Sequence, residues 1–237
     1  MALANGLLVH GPRHWAAAVR DAEGHTVVAS GRKWVLRIGV LERVPVVRGL
    51  ARLGESFAVL PAVRRGLPEA RFAMEDRRAV AVAAGATLAA AVLRRRTRSV
   101  FKQEVIGALL GLAPALVTLR GSRAAVWHAV EHKSIAAYEA GGADAVADAA
   151  THAKEHRRCG SNLVLPLMVS TIVGNTLARR LPAGRLPGLR TLITGISIGA
   201  AVEVFAFSVR RPQHIVSRVV HTSGHAMQVG FVTREPT

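Results

Sequence analysis

A chain of 237 residues with 32 Lys and Arg against 15 Asp and Glu has a formal charge of +17, which draws it to polyanions: nucleic acid or anionic lipid. Half of its residues are hydrophobic, only 4% are aromatic and the mean hydropathy is +0.27. The basic residues sit in short clusters between apolar runs, without the aromatic interleaving that stacks single-stranded bases, so a lipid bilayer is the expected partner and nucleic acid is set aside.

The first stretch, MALANGLLVHGPRH, lacks a basic n-region and reaches charged and helix-breaking residues too early for a secretory signal, so insertion is expected from internal segments. Residues 14–29 read as a β-hairpin turning at Asp21-Ala22-Glu23-Gly24. Residues 33–60 mix Val, Leu and Ile with Arg and Gly, a pattern of amphipathic or interfacial helices broken near Pro45 and Pro61. Residues 1–77 thus form a basic, membrane-adjacent N-terminal region.

Residues 78–120 hold two apolar runs, 79–93 and 105–119, the first followed by RRRTR and the second interrupted by Pro114. Each is shorter than the about 20 residues of a bilayer span, so thin spans, a helical hairpin and buried helices all fit. Residues 121–158 form a polar, histidine-rich helical segment. Residues 159–210 carry the clearest spans: 159–178, which has no formal charge and runs into Arg179-Arg180, and 191–209, whose one ionisable residue is Glu203. Residues 211–237 form a C-terminal tail. The expected fold is mainly α, a helical membrane bundle with a small N-terminal β-hairpin region. It is expected in the cell membrane as a multi-pass protein, with the histidine-rich segment cytoplasmic and the basic loops at 94–104 and 179–190 on the other side.

Within the polar segment, WHAVEHK at 127–133 sets His128 and His132 one turn apart on the same face of a helix spanning 123–140, with Glu131 three residues from His128. The order His-x-x-Glu-His is that of inverted zincins, in which two imidazoles hold an ion and the neighbouring carboxylate handles a proton. The bland reading is a solvated helix face with Glu131 paired to Lys133 or an arginine. A second set, His152, His156 and Cys159, is spaced by four and three, so on one helix all three would share a face. Nitrogen and sulfur donors suit zinc, and iron and manganese overlap where histidine and carboxylate dominate. The competing reading is a basic juxtamembrane stretch with Cys159 as a small buried residue. Cys159 is the only cysteine, which excludes an intramolecular disulfide. Glu203 in its apolar run is expected either as a further ligand or as the partner of Lys133 or an arginine.

The same residues carry a resemblance. GPRHWAAAVR at 11–20, HAVEHKSIAAYEAG at 128–141, HAKEHRRCGS at 152–161 and VTREP at 232–236 resemble the bacterial YqhQ-like family, a domain of unknown function, over nearly the whole chain. His128, Glu131, His132 and Lys133 match its His-x-x-Glu-His-Lys, and His156, Arg158, Cys159 and Gly160 match its His-x-Arg-Cys-Gly-Thr. His152 fits an upstream histidine of many members, and Glu203 fits a glutamate in a Gly-Ile-Ser-Tyr-Glu-like segment. The resemblance implies a multi-pass membrane protein labelled as a metal-dependent enzyme without an established reaction. Two positions depart from the family pattern: Asn5 stands where a glutamate is usual, and Ser161 replaces threonine.

Two functions follow as expectations. In the first, a membrane-associated hydrolase binds a divalent metal, zinc foremost, through His128 and His132 with Glu203, His156 or Cys159 completing the set and His152 in support. Glu131 is then the general base, and Lys133, Arg157 and Arg158 hold an anionic group of a lipid-linked or peptide substrate. In the second, His128, His132, His156 and Cys159 close around a structural ion in a scaffold or assembly factor.

Overall fold

The computed structural model describes residues 1–72, 75–181 and 187–236. Strands Ala2–Leu3 (β1), Gly6–His10 (β2), His14–Arg20 (β3) and Thr26–Arg32 (β4) form an antiparallel sheet in the order β1-β2-β3-β4. The expected hairpin is β3–β4, in register from His14 opposite Arg32 to Arg20 opposite Thr26. Its turn is held by the Asp21 carboxylate, which accepts the His25 N–H at 2.7 Å, and by Gly24 at φ +90°. The sheet is larger than the hairpin expected, because residues 1–10 add β1 and β2. Alternation along β3 turns Trp15, Ala17 and Val19 inward, where Leu3 and Leu8 join them against Val59, Val63 and Leu67.

The two prolines start helices. Pro45 opens α1 (Pro45–Ala58) and Pro61 lies in the first turn of α2 (Leu60–Gly66), where a missing N–H costs nothing. Next come α3 (Arg77–Arg96), capped by Asp76, and α4 (Val100–Leu119), capped by Ser99, which pack together as a helical hairpin. They are followed by α5 (Arg123–Gly141), α6 (Ser161–Arg180), α7 (Pro187–Arg210) and α8 (Ile215–Met227).

Among the described residues, three helical stretches are long and apolar enough to cross a membrane: Val100–Leu119, Ser161–Arg180 and Thr191–Arg210. Helix α3 is as long as a span, but arginines at both ends leave its apolar run too short. Leu109, Val117, Val169, Val173, Leu177, Leu192 and Ile196 are exposed on these three stretches, as a lipid-facing surface requires. Of the basic loop expected at 179–190, residues 182–186 lie outside the described residues.

Two acids inside the bundle are paired. Glu104 of α4 is buried and receives Arg94 at 3.3 Å, Asn175 at 3.1 Å and Arg179 at 3.1 Å, which brings the start of α4 and the end of α6 to the same level. Glu203 of α7 takes a two-pronged bond from Arg48 of α1, Nε to Oε1 at 3.0 Å and the guanidinium tip to Oε2 at 2.6 Å. Beside this pair α1 and α7 touch backbone to backbone: a Cβ on Gly49 would lie 2.5 Å from the Gly199 carbonyl oxygen.

Gly49→Ala is therefore expected to destabilise the protein by about 1–3 kcal/mol through overpacking, while Gly54→Ala in the same helix, where a Cβ meets nothing within 4 Å, leaves stability unchanged or slightly raised. Thermal unfolding of both variants in the same detergent measures the difference.

Candidate metal centre

Helix α5 forms where the sequence places it. The Ser122 hydroxyl accepts the Ala125 N–H at 3.2 Å, Ala, Glu and Lys favour the interior, and Gly142 at φ +76° ends it. His128 and His132 stack along one face with ring centroids 4.4 Å apart.

The segment after it is not the helix that the spacing of His152, His156 and Cys159 calls for. Short 3-10 turns over Asp144–Thr151 end at an extended His152 (φ −83°, ψ 158°), and no helix resumes until Ser161. Side chains from elsewhere supply what a helical ladder would. Lys133 spends its ammonium on the Ala150 carbonyl at 3.0 Å, the His152 carbonyl at 2.8 Å and Glu235 at 2.7 Å, which uses all three donors. His132 Nδ1 donates to the Lys154 carbonyl at 2.6 Å. Gln228 accepts the His156 N–H at 2.7 Å and donates to the His156 carbonyl at 3.3 Å, and Asn162 donates to the Arg157 carbonyl at 3.0 Å. The loop is thereby folded back over α5 and delivers Cys159 to the two histidines.

His128 Nδ1 donates to the Val232 carbonyl at 2.9 Å, so both imidazoles carry their Nδ1 proton toward backbone oxygen and leave Nε2 for another partner. The His128 Nε2 lies 3.3 Å from Cys159 Sγ, and one donor atom from each of His128, His132 and Cys159 falls within 4.8 Å of the others. Two ligands of a tetrahedral zinc, at about 2.05 and 2.3 Å from it, are roughly 3.5 Å apart, so this donor set fits the ion. Anchored Nδ1 protons are also the supporting shell that metal-bound histidines require.

Charge in the cluster is shared. Burial alone would raise the Cys159 thiol, but hydrogen bonds to His128 and His132 and their charge outweigh it and bring the thiol down to about 5. The Ser161 N–H, 3.4 Å from the sulfur at the start of α6, adds to this. Burial likewise pushes His128 down, and the hydrogen bond and charge of Cys159, with Glu131 and the Val232 carbonyl behind them, leave it above its ordinary value. With the thiol depressed and the imidazole raised, a thiolate–imidazolium pair stabilises the metal-free fold. That contribution is lost as pH falls through about 5, where the thiolate is protonated, and as pH rises through the elevated His128 value.

The remaining expected site residues are placed as follows. Glu131 is buried beside the cluster; Oε1 accepts from the Met1 ammonium and Oε2 has no partner. His156 packs 5.9 Å from His132, centroid to centroid, with Nε2 3.3 Å from Glu139. Arg158 pairs with Glu139 at 2.8 Å, Arg157 is exposed, and His152 contributes its carbonyl to Lys133. Glu203 is not among the clustered donors and belongs to Arg48. Four residues outside the expected site set, Asn162, Gln228, Val232 and Glu235, hold the loop or the imidazoles. His10 on β2 also lies outside that set: its pKa is lowered by burial and by Lys33, against the charge of Glu131. The VTREP stretch was the one signal for the C-terminal members.

A family model described as a protein of unknown function (DUF1385) matches residues 118–237, just over half of the chain. The chain belongs to the DUF1385 family. No curated protein and no solved structure matches it. The DUF1385 region contains α5 to α8 and all three clustered donors, whereas the sheet and α1 to α3 precede it.

In chelator-treated protein, thiolate ultraviolet absorbance, which reports Cys159 alone, is expected to rise with a midpoint of about 5. His128→Ala moves that midpoint upward. A midpoint near the ordinary thiol value in the unaltered chain contradicts the cluster geometry.

Proposed function

We propose that this chain is a membrane-embedded, metal-dependent hydrolase of the cell membrane with its centre on the cytoplasmic side. The observation that carries the reading is the paired anchoring of the Nδ1 atoms of His128 and His132 on backbone carbonyls, which leaves both Nε2 atoms for an ion shared with Cys159. The two nitrogens and one sulfur suit zinc, with iron or manganese as the alternatives. A divalent ion held there supplies a Lewis acid and lowers the pKa of water toward about 7.

The chain's own residues supply the rest. Glu131, a neighbour of both ligands on α5 with one buried carboxylate oxygen free, accepts the proton as general base. Lys133 is consumed by the loop and Glu235, so it organises the site; exposed Arg157, for which no acidic partner exists among the described residues, is the better holder of an anionic group on a lipid-linked or peptide substrate. The structural-ion reading needs His156 as a fourth ligand, and His156 is engaged with Glu139, which favours an open fourth position.

Elemental analysis of protein purified from membranes without a metal-binding tag or chelator is expected to find about one ion per chain. The ion is expected to be lost from a folded His128→Ala, His132→Ala variant. Its absence from both proteins removes the metal. Glu131→Gln is expected to keep the ion and lose hydrolysis of a screened ester, amide or phosphoester substrate by about 10²–10⁴-fold; full activity with the ion bound removes Glu131 as the base.

A further inference from the structure

The N-terminal region, outside the segment matched by the family model, holds a cavity of about 840 Å³ between the β2–β3 turn, the end of β4 and the segment leading to α1. Arg13, Arg32, Lys33, Arg37 and Arg52 line it, with Glu42 as the acid among them. Little of this charge is neutralised. Arg52 at 3.2 Å and Lys33 at 3.9 Å share one carboxylate, that of buried Glu55, which also accepts the Leu36 N–H at 2.9 Å. Arg13, Arg32 and Arg37 form no ion pair among the described residues. Lys33 is the most enclosed of the five, with its side chain only 6% exposed and its ammonium 3.9 Å from the Glu55 carboxylate that Arg52 also takes. A concave wall lined by one sign of charge concentrates anions of the opposite sign.

Exposed apolar residues alternate along the chain with residues that line the cavity. Trp34 is 60% exposed, Val40 75% and Leu41 53%, all on the same short segment as Lys33 and Arg37. That segment runs directly into α1, which is pinned to the candidate span α7 through Gly49 and Gly199 and through Arg48 and Glu203. A cationic cavity beside an exposed tryptophan and aliphatic residues, tied to a membrane-crossing helix, matches an amphiphile with an anionic head.

We propose that this cavity binds the phosphate headgroup of an anionic lipid, with Arg32, Lys33 and Arg37 holding the phosphate and Trp34, Val40 and Leu41 meeting the acyl chains. The volume lies within the range of small-molecule sites and admits a phosphate with a glycerol-sized group attached. The site does not depend on the metal centre, whose candidate ligands lie on α5 and in the loop just before α6.

The test is calorimetric titration of the full chain, in neutral detergent, with dioctanoyl phosphatidic acid and separately with inorganic phosphate. Saturable binding of about one lipid per chain is expected, with inorganic phosphate at least tenfold weaker. Arg32→Gln with Arg37→Gln should weaken lipid binding at least tenfold, whereas the charge-matched pair Arg95→Gln with Arg96→Gln at the end of α3 should leave it unchanged. Trp34→Ser alters no charge; it is expected to weaken lipid binding severalfold and leave phosphate binding as it was, and it carries the test if the double arginine variant fails to fold. Equal losses from both arginine pairs, equal affinity for phosphate and lipid, or no saturation each overturns the proposal.

Discussion

Between His152 and Gly160 the backbone has neither a helix nor a strand to satisfy it, and the candidate centre exists because side chains do so instead. Lys133, His132, Asn162 and Gln228 reach it from α5, from α6 and from the chain just past α8. Each bond is a local saturation of a carbonyl or N–H, and together they set the path that puts Cys159 against two imidazoles. His132 serves both purposes in one ring: Nδ1 holds the loop at Lys154, and that bond fixes the tautomer that leaves Nε2 toward the cluster. Support and function are therefore linked, and a lost loop contact also loosens a ligand.

The C-terminal tail belongs to the same unit. The Val232 carbonyl orients His128, Glu235 takes the last donor of Lys133, and the Arg234 N–H bonds the Ala125 carbonyl at 3.0 Å. Elsewhere the bundle is tied together by charge pairs, and removing one partner leaves a costly unpaired charge where the other is buried. Glu104 collects Arg94 and Arg179, and Glu203 collects Arg48. Each pair ties together elements far apart in the chain, and the Gly49–Gly199 contact lets the second pair close by bringing α1 against α7.

Much of the site was legible in local spacing, and the limit of that legibility has a physical cause. His128 and His132 are on one helix, where four residues make one turn, so their proximity follows from helix geometry alone. The same rule applied to His152, His156 and Cys159 assumes a helix that does not form, and the cysteine reaches the site by a different route. Glu203 was open between ligand and ion-pair roles; its arginine partner is 155 positions away in the chain. Asn162 and Gln228 act on main-chain atoms, and such contacts leave no residue-type pattern in a sequence.

By itself the sequence determined the helical character, the apolar stretches long enough for a membrane, the β3–β4 hairpin and the helix bearing the two histidines, because these depend on composition and on contacts within a few residues. Only the tertiary structure decided that Cys159 completes the donor set, that Glu203 is neutralised by Arg48, and that five cations of the N-terminal region line one cavity. Those outcomes depend on backbone groups being satisfied and charges being paired across long chain separations, and that accounting closes only when the whole chain is packed.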